Sequence, residues 1–243
     1  MMDLVVTTWN PETYGQFMDY LNGCADEKYR AFHSRLVPTV EKLLGIRVPV
    51  MRSIAKEIAK GDLDGFLSIC SYEYYEETMI AGLAIGYNKD WDQTLKRLEK
   101  FVPKIDNWGV CDSVCAGLKL FDRYPEEGFR WLQQYETSEK EFEQRFLLVM
   151  LLFHYRKKPW LEQVLKIGLS IYPAGYYSMM GKAWLMAECC IDFPEQSDPC
   201  LERLSGEGYD KAIQKIRESR KVSLQRKAEY LQKKQSRKQK ERN

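Results

Sequence analysis

Apolar residues recur at intervals of three and four along most of this chain, and a strict alternation of apolar and polar residues is absent. The stretches GQFMDYLNGC, MRSIAKEIAKG, EETMIAGLAIGY, DQTLKRLEKFV and FEQRFLLVMLLFHY all show the helical spacing. Pro38, Gly45, Pro49, Gly61, Pro103, Pro125, Pro159, Pro173 and Pro194 punctuate the chain, which predicts helices of about 10 to 17 residues joined by tight turns. The fold class that follows is all-α. With 243 residues, 44% of them hydrophobic and 30% charged, the chain has the composition of a soluble globular protein with a substantial core. No apolar run reaches the roughly 18 residues that a bilayer span requires, and the opening MMDLVVTTWN has no basic leader. Seven cysteines without a C-x-x-C pair point to a reduced, cytoplasmic setting. Two isolated histidines, His33 and His154, argue against a metal site.

Charge is unevenly distributed. Residues 211–243 hold 13 Lys or Arg and three acids, a net of +10, while the first 210 residues are net −8. The expected organisation is a helical domain over residues 1–220 and a basic C-terminal helix or flexible tail over 221–243. Such a tail is either solvated or an arm that touches phosphates.

Trp108, Arg145 and Trp184 are 37 and 39 residues apart, and each lies within a helical stretch. A period near 40 is that of HEAT-like helix pairs, whose equivalent positions line one concave groove. In KIDNWGVCDS, Asp106 or Asn107 is placed to cap a helix, and Trp108 and Asp112 then share one of its faces. Arg145, inside EFEQRFLLVMLL, needs a partner or a groove. Each residue also has a structural reading: Trp184 as core among Met and Ala, Arg145 as an ion-pair partner of Asp112. Tyr72, Tyr74 and Tyr75 read as an aromatic core stripe or an extension of the groove. Arg156, Lys157 and Lys158 stand at a helix end, where they complement the dipole or meet phosphates.

NWGVCDS, EQRFLL and GKAWLMAE together resemble segments of the AlkD-type alkylpurine DNA glycosylases, in register across residues 26–220. The resemblance implies a HEAT-like solenoid that excises cationic N3- and N7-alkylated purines from double-stranded DNA, as a monomer, without metal or cofactor. It assigns Asp112, Trp108 and Trp184 to catalysis. Arg145, Arg156, Lys157, Lys158 and Lys182 become candidate DNA contacts. Two departures stand out: Gly109 replaces the acidic residue that active relatives tend to carry after the first tryptophan, and Met186 and Ala187 lie where an arginine is expected. The alternative function is a non-catalytic scaffold of the same superfamily that binds DNA structures or proteins.

Overall fold

A computed structural model of the chain describes residues 3–204 and 206–240. Among the described residues every regular element is helical, and the chain divides after Tyr124 into two compact units.

The first unit contains α1 (Pro11–Gly23), α2 (Glu27–His33), α3 (Val48–Ile58), α4 (Leu63–Ile69), α5 (Tyr75–Gly86), α6 (Trp91–Phe101) and α7 (Trp108–Gly117). Short polar side chains start most of them. Asn10, Asp26, Asp62, Asp90 and Asn107 each accept a hydrogen bond from a backbone amide in the first turn that follows. The expected punctuation is only partly a set of breaks. Pro49 lies in the first turn of α3, where a missing N–H costs nothing. Two helices, α2 and α4, are shorter than expected at seven residues each.

The core of this unit is α5, packed against α3 and α7 and flanked by α4 and α6. Every residue from Tyr75 to Ile85 is buried, so this helix has no solvent face. Gly82 permits the close approach: a Cβ there would meet Val114 and lie 2.5 Å from Phe101 Cζ. The first turn of α5 buries two carboxylates. Glu76 accepts from the amides of Leu44, Gly45 and Ile46 at 2.9, 2.8 and 3.1 Å, and so fixes the loop that leads into α3. Gly45 has a φ of 92°, and a Cβ there would stand 2.6 Å from Arg30 Cβ. Glu77 accepts from Tyr14, from Ser71 Oγ at 2.9 Å and from the Tyr74 amide at 2.9 Å.

The second unit contains α8 (Pro125–Leu132), α9 (Glu141–Met150) continued by a π-helical turn over Leu151–Tyr155, α10 (Leu161–Ser170), α11 (Tyr176–Asp192), α12 (Pro194–Leu201), α13 (Gly206–Glu218) and α14 (Leu224–Lys240). Pro125 and Pro194 each open a helix. Here α11 lies between α9 and α13, as α5 lies between α3 and α7 in the first unit. Gln144 of α9 is 4% exposed. It donates to the carbonyls of Ser138 and Tyr172 and accepts from the Ala174 amide, at 2.8, 3.0 and 2.8 Å.

The basic tail is helical over Leu224–Lys240 and packs on α13. Tyr230 is buried and donates to Asp198 Oδ1 at 2.5 Å. Lys234 and Lys238 reach Asp210 at 3.1 and 2.8 Å, Lys233 reaches Glu202 at 3.4 Å, and the Arg237 guanidinium lies 4.4 Å from the centre of the Tyr209 ring. The tail's cations thus find acids of α12 and α13. Residues 241–243 of the tail lie outside the described residues.

Two stability predictions arise. Glu76→Ala removes the acceptor of three buried amides and is expected to cost about 3 kcal/mol or more, seen as a lower urea midpoint. Burial pushes the Glu77 carboxyl above its ordinary range. The folded state therefore holds that proton more tightly than the unfolded chain, so the stabilisation is complete below the ordinary glutamate pKa and is lost as pH rises through the raised one. Glu77→Gln should remove that component from a plot of urea midpoint against pH.

Candidate active site

Asn107 begins the site in the first unit. It is 1% exposed, its Oδ1 accepts from the Val110 amide at 2.9 Å, and its Nδ2 donates to Asp106 at 2.7 Å. Asn107 is therefore the cap of α7, and Asp106 steadies it. One side of α7 is core, formed by Val110, Cys111, Val114 and Cys115. Trp108, Asp112 and Ala116, spaced four apart, are half-buried on the other side. The Trp108 indole donates its N–H to the Leu36 carbonyl at 3.0 Å, so the ring is held in one orientation beside the chain that follows α2. Asp112 stands one turn further along the same face.

Gly109 is explained by what lies against it. A Cβ there would be 2.9 Å from the Tyr75 hydroxyl and 3.3 Å from Asn107 Oδ1. An acidic side chain has no room unless Tyr75 moves, and Tyr75 is 4% exposed. Of the three clustered tyrosines, Tyr75 is core, while Tyr72 and Tyr74 are half-buried.

In the second unit Arg145 is 6% exposed, and its Nη1 donates to the Tyr177 carbonyl at 2.7 Å. The amide of the same Tyr177 donates to Glu141 at 2.5 Å. Side chains of α9 therefore hold the first turn of α11. The stem of Arg145 lies 3.5 Å from where a Cβ of Gly181 would be, one turn before Trp184. Trp184 is half-buried rather than core. Phe153 meets it edge-on at 5.8 Å between centroids, and the Lys215 ammonium sits 5.4 Å from its ring centre. Met186 and Ala187 have no exposure, which leaves no room for an arginine in their place.

The remaining basic candidates divide. Lys182 turns its ammonium onto the carbonyls of Ile171 and Leu169, at 2.7 and 3.2 Å, at the end of α10, and burial lowers its pKa. Arg156 is paired with Asp192 and, at 3.3 Å, with Glu188. Lys157 and Lys158 are exposed. The structure brings Trp108 together with Asp112 in the first unit, and Arg145 beside the helix of Trp184 in the second. Sequence reasoning missed Leu36, Phe153 and Lys215, which support the two tryptophans. Their partnerships span from 31 to 72 residues and leave no local signal. Glu188 and Asp192 carry a weak one, since their spacing of four on one helix suits a shared cation.

No group of three or more His, Cys, Asp or Glu side chains among the described residues is arranged to hold a metal ion, and no described helix is long and apolar enough to cross a membrane. The thiol of Cys189 is pushed up to about 12 by burial, which removes it as a nucleophile at neutral pH.

A sequence model of the DNA alkylation repair enzymes matches residues 17–171, more than half of the chain. Searches of curated proteins and of solved structures returned no match. The matched stretch includes Trp108, Asp112, Arg145 and Arg156 to Lys158, and ends before Lys182 and Trp184.

Packing at Gly109 sets a test. Gly109→Asp is expected to displace Tyr75 and to destabilise the protein by about 1–3 kcal/mol, read from thermal or urea unfolding.

Proposed function

This chain belongs to the DNA alkylation repair enzyme family, and from that membership we propose that it is a monofunctional glycosylase acting on cationic N3- and N7-alkylpurines in duplex DNA. The observation that carries the reading is the α7 face, where an indole fixed by the Leu36 carbonyl and the Asp112 carboxylate stand one turn apart within the matched stretch. On this reading the stacked helices are HEAT-like repeats, and the protein works as a cytoplasmic monomer.

Alkylation at N3 or N7 places a positive charge on the purine, so the base can depart without strong acid catalysis. The C1′–N bond breaks, its electron pair leaves with the now neutral alkylpurine, and positive charge builds on the deoxyribose as an oxocarbenium-like centre. Asp112 acts by stabilising that charge and by taking a proton from the water that adds at C1′. The π-face of Trp108, one turn from Asp112, favours the cationic sugar by about 0.5–2 kcal/mol, according to how far the contact is desolvated. The exposed Lys157 and Lys158 supply phosphate contacts, while the buried Arg145 acts indirectly by holding the first turn of α11 through the Tyr177 carbonyl. Lys182 and Arg156 act indirectly, since the first holds the end of α10 and the second is matched by α11 carboxylates.

Binding without excision is the second reading, and one observation favours it. Tyr75 fills the space beside Gly109, so the acidic neighbour implied for active relatives has no counterpart at that position.

Release of 7-methylguanine from methylated duplex DNA separates the two. Asp112→Asn keeps the side chain's size and loses its charge. It is expected to slow excision by a factor on the order of 100 or more with duplex affinity nearly unchanged, whereas equal rates would remove Asp112 from the mechanism.

A further inference from the structure

Residues 28–56 contain seven lysines and arginines and a single acid, Glu41, within a part of the chain that is otherwise acidic. Some of that charge is matched internally. Arg30 pairs with Glu27 at 2.7 Å, Lys42 with Glu73 at 2.5 Å and Arg47 with Asp26 at 2.8 Å. Lys28 and Arg35 have no ion-pair partner among the described residues, and both are exposed.

These two cations bracket a pair of outward apolar side chains. Phe32 is 58% exposed and Leu36 45%, while their neighbours His33 and Val37 are buried. Lys28 stands four residues before Phe32, and Arg35 three after it, so Lys28, Phe32 and Arg35 share one side of the helical turns. The Phe32 ring lies 6.4 Å from that of Tyr29, whose face carries the Arg47 guanidinium at 4.8 Å. At the other end, the Leu36 carbonyl accepts the Trp108 indole N–H. The strip therefore runs up to the α7 face that presents Asp112.

A single exposed apolar residue needs no explanation. Two large ones in a row, flanked by unmatched cations, have the makeup of an apolar wedge that enters a base step while neighbouring Lys and Arg hold the phosphates. Charge complementarity favours a polyanion over a neutral partner, because a neutral partner would cover the apolar strip and leave Lys28 and Arg35 without counter-charges.

We propose that Phe32 and Leu36 form a wedge that enters duplex DNA beside the damaged nucleotide, with Lys28 and Arg35 on the flanking phosphates. This rests on the DNA-repair reading and not on glycosylase chemistry. Unstacking at that step kinks the duplex and holds the adjacent deoxyribose against the Trp108 and Asp112 face.

The test uses the full chain and a duplex that contains a tetrahydrofuran abasic analogue, labelled at its ends for energy transfer and titrated over a range of salt. Wild type is expected to shorten the end-to-end distance. The double variant Phe32→Ser/Leu36→Ser should bind about tenfold more weakly and leave the duplex straight, with its salt slope unchanged. Lys28→Ala/Arg35→Ala should flatten the slope by about 2, at about 0.9 per phosphate. Circular dichroism and unfolding midpoints equal to wild type show that these surface changes leave the fold intact. A serine double variant that binds and bends like wild type overturns the wedge, as does a wild type that binds no duplex. Release of 7-methylguanine from a methylated duplex, measured in parallel for wild type and Asp112→Asn, keeps the two ideas apart. A chain that bends the duplex but excises nothing retains the wedge and loses the glycosylase, and one that excises from a straight duplex does the reverse.

Discussion

A buried polar side chain near the start of one inner helix, gripping the loop that leads into a helix packed beside it, is the interaction on which each unit depends. In the first unit Glu76 of α5 gathers three amides of the loop before α3. In the second, Gln144 of α9 clamps the loop before α11 through the Tyr172 carbonyl and the Ala174 amide, and ties it to the Ser138 carbonyl just before its own helix. Both groups are nearly or wholly inaccessible, where an unmet polar atom would be costly. The choice of side chain follows from what the loop offers: three donors call for a carboxylate, and a mixture calls for an amide. Because stacked helices can slide on apolar contacts alone, it is these polar grips that fix where α3 and α11 enter their stacks.

Charge is organised in the same local way. A formal net of +2 conceals an acidic body and a basic C-terminal helix, and much of the helix's charge is matched by Asp198, Glu202 and Asp210. These pairs are partly exposed, so each is worth little in stability, but together with Tyr230 they define where the helix lies. Affinity for a polyanion must then come from cations that the fold leaves unmatched, such as Lys28 and Arg35, more than from those most concentrated in sequence.

Much of the fold was legible in the sequence because helix periodicity and Asx caps are local signals. A cap at Asp106 or Asn107, and Trp108 with Asp112 on one face, follow from ten residues read at helical pitch, and the bond from the Val110 amide makes Asn107 the cap. Other features were not legible. Proline marks an end or a start with equal ease, and Pro49, Pro125 and Pro194 proved to be starts. The basic run at the C-terminus has the composition of a tail, and only the distant acids of α12 and α13 make it a docked helix. Among the candidate DNA contacts, Lys182 and Arg156 are turned onto carbonyls and carboxylates of their own unit, and no inspection of GKAWLMAE or YRKKPW reveals those partners. Exposure of Trp184 likewise depends on Phe153 and Lys215.

The complete burial of α5 has a consequence for how the first unit comes into being. A helix without a polar face gains little from forming by itself in water. Its backbone can close only as α3 and α7 arrive, so that unit assembles around α5 in one concerted step and not by successive addition of helices. The amides of α5 would then exchange with solvent deuterium only when the whole unit opens, while those of the short α2, more exposed to water, exchange through local fraying.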